Sequence, residues 1–196
     1  MKRTVLITEL KTAILATLVL AVLLCGVYPA LVWGIGQTLF FFQANGSLVI
    51  REGRISGSRL IGQNVTGPQY FHPRPSAAGD GYDTANSGGS NLGPLSGKLV
   101  DRVTQQIAVY REKNDLPTAT TVPADAVTAS ASGLDPHISI ENAGLQSARV
   151  AKTRGISESR IGNLIRLHTD GPDLGFLGEP GVNVFELNLA LDADRR

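Results

Sequence analysis

The chain offers few side chains in patterns that do chemistry. Its histidines are His72, His137 and His168. No HExxH motif joins any pair, which excludes the helical zinc site of the common metalloproteases. His168 falls at the end of an apolar helical face, where packing or capping explains it. His137 follows the turn signal Asp135-Pro136 and reads as structural. Neither a GxSxG elbow nor an SxxK pair is present, so no serine nucleophile is signalled. The stretch SGGSNLGPLSGKL at 87–99 looks like a phosphate loop only in composition. A P-loop needs GxxxxGK followed by Ser or Thr, because amides, lysine and hydroxyl must converge on phosphates and metal. Here Leu92 stands in place of the first glycine and Leu99 in place of the hydroxyl. Ser87-Gly88-Gly89 can offer amides to an anion or simply make a tight turn. Asp80, Asp83, Asp135 and Asp170 fall in loops without calcium-loop spacing. The only cysteine, Cys25, rules out an internal disulfide and a Cys-based zinc site, and leaves the redox compartment open. No catalytic residue, no metal site and no cofactor of its own is therefore expected.

The elements that would position these residues fall into two parts. In the 196 residues, Lys11 and Arg51 bracket 39 residues without a charge. Residues 12–36 read TAILATLVLAVLLCGVYPALVWGIG. As a helix this segment is roughly 37 Å long, enough to cross about 30 Å of hydrocarbon. Its length and the poor cleavage site Tyr28-Pro29-Ala30 favour an uncleaved anchor over a secretory signal. Lys2, Arg3 and Lys11 outweigh Glu9 and place residues 1–11 in the cytoplasm, with residues from about 40 onward outside. Ala13, Thr17, Ala21 and Cys25 recur every four residues, a stripe of small side chains suited to packing against a partner's membrane helix. Pro29 removes a hydrogen bond to Cys25 and is expected to kink or end the helix.

Residues 37–57 read as a connector and 58–196 as an extracytoplasmic α+β domain. Without Lys2, Arg3, Lys11 and Glu9, residues 51–196 hold 15 basic and 16 acidic side chains. That balance argues against a nucleic-acid partner, and it makes no strong cation funnel. Short apolar runs at 47–50 and 58–62 suggest strands. Residues 63–94 form a long loop rich in Gly, Pro, Ser and Asn, which Tyr70, Phe71 and Tyr82 can pin to a core. Helices are expected over 95–113, over 140–154 between Ser139 and Gly155, and from Ser157 to about 168. Phe185, Leu187, Leu189 and Leu191 alternate, which predicts a half-buried strand over 182–191.

Several stretches then carry a resemblance. They are GSRLIGQNVTGPQYFHPRPSAAG from Gly57 to Gly79, SGGSNLGP from Ser87 to Pro94 and VPADAVTASASGLDPHIS from Val122 to Ser139. RVAKTRG at 149–155 and HTDGPDLGFLGEPGVNVFELNLALD at 168–192 complete an ordered series. With the anchor, the chain resembles the C subunits of the bacterial Kdp potassium-transporting P-type ATPase. Ala131 stands where that family usually has glycine, and Gly181 where it usually has arginine.

The resemblance implies an accessory, non-catalytic subunit of a high-affinity, ATP-driven potassium uptake pump in the bacterial inner membrane. Its partners would be a channel-like A subunit, an ATP-hydrolysing B subunit and a small F subunit, besides the lipid bilayer. It also implies a role in assembly and in raising the ATP affinity of the B subunit, with nucleotide contact at Gln146. This chain has neither a DKTG phosphorylation sequence nor a TVGYG-type filter. An extracytoplasmic Gln146 cannot touch cytoplasmic ATP, so any influence would have to pass through the complex as a coupling free energy. The rival reading is a free-standing anchored enzyme or solute-binding protein, whose sign would be a deep pocket with convergent polar groups.

Overall fold

A computed structural model describes residues 2–193, with side chains from Val5 onward. The side chains of Lys2 and Arg3, on which the orientation argument leans, lie outside the described residues. The chain divides into two units, 1–48 and 49–196.

The first unit is helical. α1 (Lys2–Ala21) runs into a π-helical turn (Val22–Val27), then α2 (Tyr28–Leu39) and the short α3 (Phe41–Ala44). Val5–Leu39 is long and apolar enough to cross a membrane. Its large side chains are uncovered, Leu18 at 58% exposure and Trp33 at 70%. Such a surface is costly in water and neutral in lipid. Pro29 does not end the helix. It lies in the first turn of α2, just after the π turn. Widening the preceding turn to i→i+5 bonding absorbs the donor that proline lacks. Cys25 lies inside that turn. There a step of four residues falls short of a full revolution instead of overshooting it. This bends the stripe of Ala13, Thr17, Ala21 and Cys25 back toward a single line. The Thr17 hydroxyl donates to the Ala13 carbonyl at 2.8 Å, so its own helix already satisfies it.

The second unit opens within a hairpin of β1 (Leu48–Arg51), whose first residue closes the first unit, and β2 (Arg54–Ser58). Glu52 and Gly53 both take positive φ, 51° and 75°, as the tightest hairpin turn demands. That turn sends the return strand back at once, so the second strand is 54–58 and not the expected 58–62. α4 (Gly97–Lys113) follows the long loop. β3 (His137–Ile138), β4 (Thr169–Asp170) and β5 (Gly181–Asn183) form an antiparallel sheet with β5 central. Val182 lies opposite both Ile138 and Thr169. α5 (Ile140–Arg154) begins where the Ser139 hydroxyl accepts from Asn142 N at 3.0 Å, and stops at Gly155 with φ 68°. α6 (Glu158–Leu167) is capped by Ser157. Both caps were legible, because each is a local signal.

The expected strand over 182–191 is instead β5 followed by helix α7 (Val184–Ala193). The Asn183 Oδ1 accepts from Glu186 N at 3.1 Å, which caps the helix. The buried positions Val184, Leu187, Asn188 and Leu191 have helical spacing, so the alternation of Phe185, Leu187, Leu189 and Leu191 was coincidental. Phe71 from the long loop, Ile138, Val150, Ile161, Val182, Leu187 and Leu191 fill one core. At about 25 cal/mol per Å² of apolar area, such burial is the main favourable contribution to this small unit's stability. The architecture is an apolar N-terminal helix followed by a small α+β domain.

Candidate functional site

The long loop would be a poor structural element by composition, since little in it prefers one backbone shape. Side chains of α5 and α7 impose that shape. Gln146 is 1% exposed. Its Oε1 accepts from His72 N at 2.7 Å, and its Nε2 donates to His72 O at 3.1 Å. Asn188 does the same one residue earlier, accepting from Phe71 N at 2.8 Å and donating to Phe71 O at 2.9 Å. Two buried amides thus hold two consecutive residues as a neighbouring strand would. Phe71 is thereby driven fully into the core.

Two arginines complete the clamp. Arg149 donates through Nη1 to the carbonyls of Pro68 and Tyr70, the latter at 2.9 Å, and through Nε to Asn114 Oδ1 at 2.9 Å. Its Nη2 donates to Gln146 Oε1 at 2.9 Å. Burial pulls the Arg149 guanidinium below its ordinary range. Arg154 donates to Gln69 O at 2.6 Å, Leu191 O at 2.9 Å and Asp192 Oδ1 at 2.8 Å. It also stacks 4.8 Å over the Tyr70 ring. Further along the loop, the Ser76 hydroxyl donates to Gly133 O at 2.7 Å and the Tyr82 hydroxyl donates to Arg74 O. Tyr70, Phe71 and Tyr82 are the pins the sequence indicated.

Between this loop, α4 and the start of α5 lies a cleft of ≈ 310 Å³. Thr66, His72 and Arg74 line it from the loop, Gln106, Tyr110 and Lys113 from α4, and Asn142 and Gln146 from α5. No carboxylate lines it, whereas Arg74 and Lys113 do. A bare cation would find no counter-charge there. The His72 pKa is lowered by burial and by the nearby Arg149 charge. Its Nε2 lies 3.0 Å from the Gly67 carbonyl, an acceptor only, so Nε2 carries the proton of the neutral ring. Tyr110 donates to Asn142 Oδ1 at 2.8 Å, and burial pushes its phenol far above the ordinary value. Burial likewise raises the Tyr82 phenol, so neither tyrosine in this cleft is an activated nucleophile. Among its polar lining, Gln146 has all its bonding capacity committed to protein groups.

A second polar cluster lies at the sheet. His137 Nε2 is 2.9 Å from Asp170 Oδ2, and Nδ1 is 3.7 Å from Asp135 Oδ1. Arg74 pairs with Asp135 at 2.9 Å and Arg59 with Asp170 at 2.8 Å. The His137 pKa is raised by Asp135, against burial, with Asp170 adding to the rise. This alternation of charges ties the loop to β3 and β4. Gly181 leaves the room it needs, since a Cβ there would come 3.0 Å from the His137 Cβ. His168 closes α6 by donating its backbone N–H to Leu164 and Ile165 carbonyls. Among the described residues, no group of His, Cys, Asp and Glu is placed to hold a metal ion.

The resemblance implied a nucleotide contact at Gln146; the structure places Gln146 at the centre of the loop clamp. Asn188, Arg149 and Arg154 were missed as its companions. Ala13, Thr17, Ala21 and Cys25 lie in the other unit. The family model described as "KdpC: K+-transporting ATPase, c chain" matches residues 10–193. The chain belongs to the KdpC family. Among its KdpC relatives is the potassium-transporting ATPase KdpC subunit of Koribacter versatilis (strain Ellin345). The two are 54% identical over 185 residues, covering 94% of each chain. The KdpC subunit of Mycobacterium tuberculosis (strain ATCC 25618 / H37Rv) is 54% identical over 184 residues, 94% of this chain and 97% of the relative. That of Geobacter sulfurreducens is 51% identical over 186 residues, 94% of this chain and 97% of the relative. With one N-terminal apolar helix of spanning length, this KdpC-family chain is a membrane-anchored protein.

Proposed function

We propose that this chain is the accessory subunit of a bacterial potassium-uptake ATPase, working with a channel-like A subunit, an ATP-hydrolysing B subunit and a small F subunit. The observation that carries this reading is the family match across 10–193, which takes in both the apolar helix and the domain. The catalytic site lies on another chain in this reading, consistent with the lack of a DKTG sequence and a P-loop here. Lys2, Arg3 and Lys11 put the N-terminus in the cytoplasm of the inner membrane and the domain outside. Ala13, Thr17, Ala21 and Cys25 form the face that meets a partner's membrane helices.

Gln146 acts, in this reading, as a positioning residue. A direct nucleotide contact would have to displace at least one of its four protein hydrogen bonds. It would also need the domain on the cytoplasmic side. ATP therefore serves the complex and not this domain. The test is growth at limiting potassium. Cells lacking the chain should fail to grow and recover when it is restored. Growth unaffected by its loss would favour a free-standing anchored protein instead.

A further inference from the structure

The cleft between the long loop, α4 and α5 gathers positive charge that the domain leaves unmatched. Arg149 stands behind its lining, bonded to the lining residues Asn114 and Gln146. It is only 9% exposed, yet every acceptor it meets is neutral, two backbone carbonyls and two side-chain amides. A buried charge is ordinarily paired with an opposite one. Lys113, which lines the cleft, also has no carboxylate partner among the described residues. Arg74 alone is matched, by Asp135 at 2.9 Å. Asp125, which helps to raise the Tyr110 phenol, has both oxygens bonded to Ser139 and Asn142. His72 senses the resulting potential, since Arg149 and Lys113 both disfavour its proton.

The lining also sorts by hydrogen bonding. Tyr110, Asn114, Asn142 and Gln146 are bonded to protein groups. Asn64 and Thr66 on the loop, and Gln106 and Lys113 on α4, line the same cleft with side chains that bond to no described residue. We propose that this cleft binds a small oxyanion, a solute with one carboxylate or phosphate group, held by Lys113 and Gln106 on one wall and Asn64 and Thr66 on the other. Val65 and Val109 leave apolar wall for a short carbon body. At ≈ 310 Å³ the cleft lies at the lower end of ligand pockets, about 300–1,000 Å³, which suits a few carbons better than a nucleoside triphosphate. The Nδ1 of His72 is free to take a proton, because Nε2 already donates to Gly67 O. An anion in the cleft offsets Arg149 and Lys113, so anion binding and His72 protonation favour each other. The proposal goes beyond the transport reading and does not depend on it.

The test uses the full chain in neutral detergent with labelled histidines, the His72 resonance being assigned by His72→Gln. Inorganic phosphate and butyrate are titrated separately at fixed ionic strength held with sodium chloride. At least one should shift the His72 resonance saturably and raise its proton affinity severalfold, with tighter binding as pH falls. The tighter of the two names the acid group of the ligand. Lys113→Gln should weaken binding severalfold, with the His137 and His168 resonances unmoved because Lys113 is exposed. Lys98→Gln removes the same charge from the other end of α4, outside the cleft, and should leave binding unchanged. No saturable shift with either anion would overturn the proposal. Equal weakening by both lysine variants would also overturn it, as the mark of a diffuse field. So would saturation by ATP where phosphate and butyrate both fail, since that is a nucleotide site. None of these results bears on growth at limiting potassium, so failure here and failure of the transport reading are distinguishable.

Discussion

Gln146→Ala is the sharpest perturbation, because every polar atom of the side chain is spoken for in a buried place. The substitution strips the partner from His72 N and His72 O, and one of several partners from Asn142 Oδ1 and from Arg149. An unsatisfied buried group costs about 1–3 kcal/mol, and a hydrogen bond to a charged group contributes about 1.5–3. Water entering from the adjoining cleft would satisfy some of these groups, so a loss of about 3–5 kcal/mol is expected. For a unit of this size that lowers Tm by roughly 10 °C or more. Thermal unfolding of the full chain by near-ultraviolet circular dichroism measures it. Limited proteolysis reports the mechanism, with faster cutting within 63–94. Asn188→Ala should behave alike, since Asn188 holds Phe71 as Gln146 holds His72. Potassium-stimulated ATPase activity of the complex should then fall in step with stability for both variants. If Gln146→Ala leaves Tm and proteolysis unchanged while that activity falls, the clamp argument is wrong and Gln146 contacts a ligand.

Arg154→Ala should cost about 2–4 kcal/mol in chemical denaturation, because its side chain is 2% exposed and its loss removes the donors to Gln69 O and Leu191 O and leaves Asp192 with Tyr70 as its side-chain partner. Gly133→Ala should destabilise by about 2 kcal/mol or more, as its φ of 68° and a Cβ 2.6 Å from Gly88 O leave no room. The pH dependence of Tm should separate two histidines. His137, with its pKa raised, contributes stability that is full below about pH 6.5 and lost as pH rises through the folded value. His137→Gln should therefore flatten the alkaline side. His72, with its pKa lowered, loses stability as pH falls below about 6.5, so His72→Gln should flatten the acid side. Identical profiles in wild type and variants would refute both assignments. Ala13→Phe with Ala21→Leu should reduce recovery of the chain with its partners, measured against Leu15→Phe.

How much of this was legible follows from the range of each interaction. Ser139 and Gly155 announce α5 within its own segment, and Ser157 announces α6. The error at 182–191 came from a pattern that two periods fit, since leucines at alternate positions also place Leu187 and Leu191 four apart. Asn183 three residues before Glu186 was the local signal for a helix start. The aromatic pins of the 63–94 loop could be read because large apolar side chains seek a core wherever they lie. The amides that hold it could not, since Gln146 and His72 are 74 residues apart and Asn188 and Phe71 are 117 apart. No spacing rule connects such positions. Only the register of β3, β5 and the helices that follow them brings α5 and α7 to the same loop. Likewise, Pro29 signalled a disturbed helix, but its absorption in a π turn depends on bonding that composition does not show.

The measurement closest to the central claim is the activity that travels with the chain. Tagged at the C-terminus and extracted from membranes in mild detergent, the chain should bring larger membrane subunits in fixed proportion. The eluate should hydrolyse ATP faster when potassium is added. The chain purified without those subunits should hydrolyse none above a buffer blank. Recovery of the chain alone from membranes that contain an active potassium-stimulated ATPase, or ATP hydrolysis by the chain by itself, would contradict the account.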